Sequence, residues 1–396
     1  MLSLDKVWGA QTVLKNIVRE TKLVRAYGIA PDCELYLKPE NLQITGSFKV
    51  RGSAYKIAML TDEEKKKGVI ACSAGNHAQG VALAATKNGI KSLICLPDSA
   101  PISKVEATKG YGAEVCLVEG CYDDAYQKAL ELRDSEGYTF VHPFDDENVI
   151  AGQGTIALEI LNDLDNIDAI VVPIGGGGLI SGVAYTAKQI RPSIKIYGVQ
   201  VAGAPSMYNS VRDGEIECLS SVSTIADGIA VKKPGENTYA LVKEYVDEIA
   251  LVTDDEVSTA ILALIEKQKM IAEGAGAVAV AAVMFDKFNL KNKRVVAVVS
   301  GGNIDVTSLS RVIDRGLLKS GRSSSLLIEL IDKPGQLKVI SRIIADCGGN
   351  VTGVHYEKGD TESVNGCFLR IEMETRDFEH VNLITKTLRD EGFKLV

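Results

Sequence analysis

Short apolar segments alternate with longer amphipathic segments through the first three quarters of the chain, and this alternation constrains the fold more than any other feature. Apolar segments bounded by turn residues are typical of buried strands, and helical periodicity indicates the helices between them. Parallel strands need such helical crossovers, which cover both faces of the sheet. We therefore predict a doubly wound α/β domain over residues 1–315. The predicted strands are 34–37, 69–73, 92–96, 114–118, 139–142, 169–174, 194–199, 249–252 and 295–299, and the clearest helices are 123–134, 154–164 and 256–270.

The C-terminal part of the chain has a different pattern. Residues 316–325 are rich in glycine, serine and other polar side chains, so we interpret them as a linker. The following segments are predicted to run strand, helix, strand, strand, helix, strand, which is the βαββαβ order of a ferredoxin-like unit. We therefore predict a second domain over residues 326–396. Its predicted elements are 326–331, 336–346, 351–356, 366–374, 378–390 and 393–396.

Composition excludes several classes of protein. The 396 residues suffice for two or three domains, and 44 basic against 52 acidic residues give a net charge of −8, which disfavours nucleic-acid binding. The eight cysteines lack CxxC and zinc-ligand spacings, and free thiols in apolar segments favour a reducing compartment, so we expect a cytoplasmic protein. The first residues lack a signal-peptide pattern. Residues 169–187 are uncharged, but a proline and four glycines interrupt them, so we predict strand, loop and helix rather than a membrane span.

Lys49 is the strongest candidate nucleophile. It follows the turn-forming residues Thr45, Gly46 and Ser47, and a helical pattern begins there. A cation in the first turn of a helix opposes the helix dipole, and burial beside Phe48 disfavours its charge further. Both effects lower the pKa of an amine, as a lysine that forms a Schiff base requires. The alternative is a surface lysine in a capped helix.

A second candidate segment follows the strand 69–73 and opens the next helix. Backbone N–H groups at a helix N-terminus bind anions such as carboxylates, and the amide of Asn76 adds a side-chain donor. In the alternative interpretation Asn76 is only a helix cap and His77 an ordinary surface histidine. The segment consists of Ser73, Ala74, Gly75, Asn76, His77, Ala78, Gln79 and Gly80.

A run of glycines forms the third segment, again between a strand and a helix. Glycines let a backbone approach a phosphate closely, and the helix dipole attracts its charge. No register of the run matches the G-x-G-x-x-G pattern of dinucleotide-binding folds, and the P-loop Lys-Ser/Thr pair is absent, so a compact phosphate fits better than a pyrophosphate. A flexible turn is the alternative. The run consists of Gly175, Gly176, Gly177 and Gly178, followed by Leu179.

The fourth segment places Ser300 and Asn303 directly after the strand 295–299. Ligands of open α/β sheets bind at the carboxyl ends of strands. All four segments occupy such strand-to-helix positions, so we expect them to converge on one edge of the sheet. A lysine, a carboxylate-binding loop, a phosphate-binding loop and a neutral hydroxyl together predict a pyridoxal phosphate site.

The motifs S-F-K-x-R-G, S-A-G-N-H-A-Q-G, G-G-G-G-L and S-G-G-N occur in this order, and the chain as a whole resembles the threonine ammonia-lyases (threonine dehydratases) of the fold-type II pyridoxal-phosphate family. The resemblance implies a tryptophan synthase β-like fold with two open α/β subdomains. It implies that Lys49 forms the internal aldimine with pyridoxal 5'-phosphate and that Phe48 packs beside the pyridine ring. It further implies that Asn76 bonds the 3-hydroxyl and that Ser300 faces the ring nitrogen. It places the phosphate against Gly175, Gly176, Gly177, Gly178 and Leu179, and the substrate carboxylate against Ser73, Ala74, Gly75, Asn76 and His77.

The resemblance also implies a reaction. The expected activity is deamination of L-threonine to 2-oxobutanoate and ammonia by β-elimination, with Lys49 removing the Cα proton and L-serine as a side substrate. A serine dehydratase or racemase of the same fold is the alternative. Serine racemases of this fold carry a serine where this chain has Ala74, and cysteine synthases carry an acidic residue where it has Val50, so racemisation and β-replacement are less favoured. Two alternatives come from other classes, a nicotinamide-dependent dehydrogenase and a catalytically silent amino-acid sensor. The unmatched glycine pattern weighs against the first, and the intact Lys49 weighs against the second.

Regulation is expected to involve a small-molecule effector. The C-terminal domain resembles an ACT domain, which usually binds an amino acid, and a purely oligomerising role is the alternative. We expect a homodimer or homotetramer, and it stays open whether a cation binds near Asp227 and Glu273, as in some relatives. The sequence also leaves open the effector and the choice between isoleucine biosynthesis and threonine catabolism. The expected ACT ligand residues are Asp332, Pro334, Gly335, Asn350 and Val351, and the residues that match AMP- or ADP-contacting positions of biodegradative relatives are Thr45, Gln79, Tyr111 and Asn303.

Overall fold

A computed structural model of the protein describes residues 2–357 and 366–396. Internal contacts divide the chain into two compact units, Met1–Val306 and Thr307–Val396. The first unit is α/β with two sheets, and the second is built on one antiparallel sheet. The predicted α/β class with a smaller βαββαβ region after it is therefore confirmed.

All nine predicted strands of the first unit are present within one or two residues. The strands of this unit are β1 (Val24–Arg25), β2 (Glu34–Pro39), β3 (Val69–Cys72), β4 (Ser92–Pro97), β5 (Glu114–Val118), β6 (Thr139–Phe140), β7 (Ala169–Pro173), β8 (Lys195–Val201), β9 (Glu248–Val252) and β10 (Arg294–Val299). They form a six-stranded sheet in the order β1-β2-β10-β7-β8-β9 and a four-stranded sheet in the order β5-β4-β3-β6. The short edge strand β1, which the sequence pattern does not predict, pairs antiparallel with β2, and the other pairs are parallel.

The central strands are apolar because helices cover both faces of each sheet. Every residue of β3 and of β7 is buried, as expected for parallel strands between two helical layers. Residues 169–187 form a strand, a loop and the start of a helix, as predicted. In residues 2–357 and 366–396, no helix has both the length and the hydropathy that a membrane span requires.

The helices of the first unit surround these sheets. They are α1 (Leu4–Leu14), α2 (Lys49–Ala58), α3 (Asp62–Lys67), α4 (Asn76–Lys87), α5 (Ile102–Gly110), α6 (Tyr122–Glu136), α7 (Glu147–Asp163), α8 (Gly178–Ile190), α9 (Ser206–Asp213), α10 (Glu236–Tyr245), α11 (Asp254–Ala263) and α12 (Gly274–Met284). Helix α11 is shorter than the predicted helix 256–270, because Leu264–Gln268 form a π-helical turn after it.

Helix α7 begins about two turns before its predicted start at residue 154. Asp146 caps it, and its carboxylate accepts hydrogen bonds from the backbone N–H groups of Asn148 and Val149. Glycines inside this helix permit close packing of its neighbours. A Cβ on Gly152 would lie 2.7 Å from the carbonyl oxygen of Arg51 on α2. These glycines therefore belong to a helix interface and do not mark a helix end.

The second unit has the predicted order of elements, preceded by a helix that the sequence pattern did not predict. Its elements are α13 (Val306–Lys319), β11 (Ser323–Ile331), α14 (Gln336–Asp346), β12 (Asn350–Glu357), β13 (Gly366–Glu374), α15 (Phe378–Asp390) and β14 (Lys394–Leu395). The antiparallel sheet has the order β12-β13-β11-β14. Its core includes Ile328, Ile344, Ile371 and Ile384, where α14 and α15 pack on one face of the sheet.

The predicted linker over residues 316–325 is wrong. Residues 316–319 form the last turn of α13, and residues 323–325 begin β11 and pair with β13. Gly321 stands between them in a left-handed conformation with φ +68°, and a Cβ there would lie 2.5 Å from the backbone nitrogen of Phe378. The glycine and serine residues therefore form a tight helix-to-strand turn, and the boundary between the two units lies earlier, between Val306 and Thr307.

Candidate active site

One cavity of about 1000 Å³ in the first unit is lined by residues from all four predicted segments. Lys49 reaches it from the start of α2, and the other three segments reach it from the loops after β3, β7 and β10. Strand β3 belongs to the four-stranded sheet, whereas β7 and β10 belong to the six-stranded sheet. The segments therefore meet between two sheets, and the prediction of one shared sheet edge is wrong.

Lys49 is the first residue of α2, as predicted, and its amine is buried in this cavity. Its Nζ donates a hydrogen bond of 2.9 Å to the carbonyl oxygen of Pro143 and lies 5.4 Å from the centre of the Phe48 ring. Burial lowers the pKa of the Lys49 amine to about 8, although the carboxylate of Glu273 opposes the shift. The alternative interpretation as a surface lysine is wrong.

Backbone contacts hold Lys49 in this position. The N–H of Phe48 donates to the carbonyl oxygen of Ser300 at 3.1 Å, and the N–H of Gly302 donates to that of Gly46 at 2.9 Å. Gly46 has φ +69°, and a Cβ there would lie 2.2 Å from Oδ1 of Asn303. These hydrogen bonds join the turn before α2 to the loop after β10. Lys49 and Ser300 therefore lie in the same cavity.

The loop before α4 is open toward the cavity. Gly75 is the N-cap residue, its N–H donates to Oγ of Ser73 at 3.1 Å, and a Cβ on it would meet no atom within 4 Å. Asn76 does not cap the helix. Its Nδ2 donates to Oε1 of Glu273 at 2.6 Å, and its Oδ1 accepts from Nδ2 of Asn303 at 2.7 Å.

His77 is buried, so its interpretation as a surface histidine is wrong. Its Nε2 lies 2.8 Å from the carbonyl oxygen of Val141. Burial, with the nearby Lys49 amine, lowers the pKa of His77 to about 3. The ring is therefore neutral and joins α4 to the segment after β6, while Ala74 and Gly75 remain to meet a ligand.

The glycine run follows β7 and leads into α8, as predicted. Gly177 is the N-cap residue of α8 with φ +99°. A Cβ on Gly176 would lie 2.5 Å from ring atoms of Phe144, and one on Gly178 would lie 2.9 Å from the Phe144 backbone. Gly176 and Gly178 therefore have to be glycine to pack against Phe144. The positive end of the α8 dipole points at the cavity, which favours an anion there.

Ser300 is buried directly after β10, and its Oγ donates to the carbonyl oxygen of Ala275 at 3.2 Å. Glu273, the N-cap residue of α12, is buried as well. Burial and the charge of Asp227 raise the pKa of Glu273 to about 7. Asp227 forms an ion pair of 2.6 Å with Lys104. In the part of the chain that the structure describes, no group of three or more histidine, cysteine or acidic side chains could hold a metal ion.

Sequence reasoning missed four lining residues that follow β6, namely His142, Pro143, Phe144 and Asp145. The predicted strand 139–142 included His142, so the loop that follows β6 was not recognised. Only the strand-to-loop position could have indicated them, because an aromatic residue beside a proline carries no specific motif.

Three of the four residues matched to nucleotide contacts lie together beside Asn76. Nδ2 of Asn303 donates to the carbonyl oxygen of Thr45 at 2.7 Å and to Oε1 of Gln79 at 3.4 Å. Tyr111 donates its hydroxyl to the carbonyl oxygen of Ile44 at 3.3 Å. Thr45 and Gln79 are buried. Their role in nucleotide binding stays a prediction.

The predicted ACT ligand residues lie in the second unit. Gly335 is the N-cap residue of α14 with φ +95°, and Asp332 and Pro334 precede it in the turn after β11. Asn350 begins β12, and its Nδ2 donates to Oε2 of Glu374 at 2.8 Å. Val351 follows it and pairs with β13. Their ligand also stays a prediction.

The family model described as "Pyridoxal-phosphate dependent enzyme" matches residues 14–301 of this chain. The match includes Lys49, the glycine run and Ser300. The chain belongs to this family. Dependence on pyridoxal phosphate, which the four segments predicted, is thereby confirmed.

Curated relatives of this pyridoxal-phosphate-dependent enzyme match over nearly the full chain. The L-threonine ammonia-lyase of Thermotoga maritima is 48% identical, over 100% of this chain and 99% of its own length. The L-threonine ammonia-lyase of Geobacter sulfurreducens is 42% identical, over 99% of this chain and 98% of its own length. The threonine dehydratase interpretation made from the motifs agrees with these relatives.

Two solved structures similar to this enzyme cover 79% and 80% of the chain. Threonine deaminase isoform 2 of Solanum lycopersicum has a TM-score of 0.75 and 39% identity, over 79% of this chain and 94% of its own. Maize serine racemase has a TM-score of 0.75 and 35% identity, over 80% of this chain and 98% of its own. The fold of the pyridoxal-phosphate-dependent enzymes is therefore shared by lyases and racemases.

Proposed function

We propose that this enzyme is an L-threonine ammonia-lyase, which converts L-threonine to 2-oxobutanoate and ammonia and accepts L-serine as a side substrate. One observation carries the proposal: full-length similarity to an L-threonine ammonia-lyase in a chain whose Lys49 amine is buried in the cavity. The intact Lys49 also argues against a silent amino-acid sensor.

The residues in the cavity fit pyridoxal phosphate. Its aldehyde needs a deprotonated amine, and burial lowers the pKa of Lys49 to about 8. Its phosphate needs an anion site free of side chains, which the glycines at the start of α8 supply. When bound, the cofactor supplies an electron sink that stabilises negative charge developing at Cα of the amino acid. The residues that would hold it are Phe48, Lys49, Asn76, Gly175, Gly176, Gly177, Gly178, Leu179 and Ser300.

Lys49 then serves as the base for the Cα proton. A pKa near the working pH lets an amine accept a proton and release it again within one turnover. The Pro143 carbonyl accepts a hydrogen bond from Nζ and so orients the amine. The N–H groups at the start of α4 bind the substrate carboxylate, with Ser73, Ala74, Gly75, Asn76 and His77 forming that loop.

Serine racemisation is the second candidate, and the similarity to maize serine racemase favours it. Racemisation needs a second proton donor on the opposite face of Cα. Ala74 lines the cavity with a methyl group and has no proton to give. The balance of these observations favours elimination.

The second unit is proposed to be a regulatory ACT domain that binds a small-molecule effector, and the enzyme is proposed to act as a homodimer or homotetramer in the cytoplasm. The βαββαβ order and the strand order of its sheet support the ACT domain. The effector would be an amino acid bound at the turn before α14, or AMP or ADP bound beside Asn303.

The test is 2-oxobutanoate release from L-threonine by purified protein loaded with pyridoxal phosphate. We expect turnover, a shift in rate with one of isoleucine, valine, AMP or ADP, and no D-serine from L-serine. Lys49→Ala should abolish turnover without changing the circular dichroism spectrum. Lys56→Ala, on the same helix but ion-paired to Asp146, is the matched control and should retain activity. Threonine loss in Lys49→Ala would refute the assignment of the base.

A further inference from the structure

His142 is a titratable side chain of the cavity that the mechanism above does not use. It follows β6, which pairs in parallel with β3, the strand that leads to the carboxylate loop. The N–H of Val141 donates to the carbonyl oxygen of Ile70 at 2.9 Å. His142 therefore lies at the same end of the four-stranded sheet as the loop proposed to bind the substrate carboxylate.

Hydrogen bonds determine which nitrogen of the His142 ring carries the proton. Nδ1 accepts from the backbone N–H of Asp145 at 2.7 Å and from that of Phe144 at 3.3 Å. A nitrogen that accepts carries no proton, so the neutral ring is protonated at Nε2. Burial lowers the pKa of His142, an effect that Asp145 and Asp146 oppose and Lys49 reinforces. The ring is a neutral donor and not a cation.

The position of the ring is also constrained. Phe144 meets it edge to face, with ring centres 4.7 Å apart and planes at 86°, and Phe140 meets it from another side at 6.2 Å. Within residues 2–357 and 366–396, no acceptor bonds Nε2, and the ring lines the cavity. An oriented N–H without a protein partner is therefore available to a ligand.

We propose that His142 binds the substrate and donates its Nε2–H to the β-hydroxyl oxygen. The proposal rests on the proposed function. The next residue, Pro143, holds the Lys49 amine through its carbonyl, and that amine takes the proton from Cα, one bond from Cβ. The carboxylate already has the N–H groups of α4. A neutral donor beside the base suits a neutral hydroxyl, because it adds no charge to a buried site.

The chain offers a matched pair of variants. His142→Asn keeps an acceptor near the Nδ1 position for the backbone N–H groups but removes the distal donor. His142→Gln places an amide N–H near the Nε2 position. Both variants are compared on L-serine and on β-chloro-L-alanine, which undergoes the same elimination without a hydroxyl.

We expect His142→Asn to lower kcat/KM for L-serine about tenfold and to change that for β-chloro-L-alanine less than about twofold, since a neutral hydrogen bond has this magnitude. His142→Gln should recover most of the loss. Equal losses on both substrates would overturn the proposal and assign His142 to the shape of the site.

A binding measurement separates this proposal from the proposed function. In Lys49→Ala protein loaded with pyridoxal phosphate, calorimetry gives the affinity for L-threonine and for L-2-aminobutyrate, which lacks only the hydroxyl. Adding His142→Asn should weaken the affinity for L-threonine about tenfold and leave the affinity for L-2-aminobutyrate unchanged. Equal weakening refutes the role of His142. Hydroxyl-dependent binding without 2-oxobutanoate release by the unsubstituted enzyme refutes the lyase function instead.

Discussion

Arg51 lies two residues after Lys49 on α2 and is fully buried in a cluster of charges. Its Nε and Nη2 donate to the carboxylate of Glu40, both at 2.8 Å. Its Nη1 and Nη2 donate to the carboxylate of Glu159 at 2.6 and 2.8 Å. Nζ of Lys38 donates to Glu159 as well. The cluster thus contains two cations and two anions, and its charges cancel.

Replacing Arg51 by methionine would leave Lys38 to face two buried carboxylates. Removing one partner of a buried ion pair costs about 3–5 kcal/mol, since the remaining charge keeps its desolvation penalty without its compensation. That cost is a large part of the ordinary stability of about 5–15 kcal/mol. We therefore expect Arg51→Met to lower the free energy of unfolding by about 3–5 kcal/mol.

The assay is urea unfolding followed by circular dichroism and by the fluorescence of the single tryptophan, Trp8. The double variant Arg51→Met/Glu40→Met removes one charge of each sign and should regain part of the loss. Arg133→Met, which removes an exposed ion pair with Asp134, is the control and should have no measurable effect. Loss below about 1 kcal/mol in Arg51→Met, or a double variant as unstable as the sum of its singles, would refute the reasoning.

Three further predictions concern residues that line the cavity. Gly176→Ala should weaken pyridoxal phosphate binding in an absorbance titration, because its Cβ would lie 2.5 Å from the Phe144 ring, whereas Gly110→Ala, with no atom within 4 Å, should not; equal affinities would contradict this. Burial raises the pKa of Glu273 to about 7 from 4.5, so the native protein binds more protons than the unfolded chain between these pH values and stability falls as pH rises through them. Glu273→Gln should remove this part of the slope in urea midpoints of cofactor-free protein, and an unchanged slope would contradict it. The exposed thiols of Cys121 and Cys218 should react with a thiol reagent in the folded protein, whereas the buried thiols of Cys72 and Cys95 should not. Peptide mapping of the labelled cysteines measures the difference.

Features encoded by short stretches of sequence were predicted well. A strand followed by glycine or serine and then by a helical pattern is recognisable without knowledge of the fold, and so the segments at Lys49, Asn76, Gly177 and Ser300 were found with their elements. The chemistry of these residue types also follows from the sequence. A lysine, an amide, a glycine run and a hydroxyl can bind the parts of one cofactor wherever the fold brings them together.

Features that depend on packing were predicted poorly. The glycine and serine composition of residues 316–325 indicated a linker, because composition does not reveal that Gly321 packs against Phe378. The predicted helix began at residue 154 and excluded Gly152, because the sequence does not reveal that Gly152 packs against α2. His77 is buried, and the carbonyl oxygen of Val141 accepts a hydrogen bond from Nε2 of its ring, a contact between segments far apart in sequence.

The sequence by itself determined the class of fold and the set of reactive groups in this protein. Only the tertiary structure decided that these groups meet between two sheets and that Glu273 and His142 belong to the same cavity. Residue types and helical or strand periodicity are local properties of a chain. Burial, distance and the direction of a hydrogen bond depend on residues that approach one another only after folding.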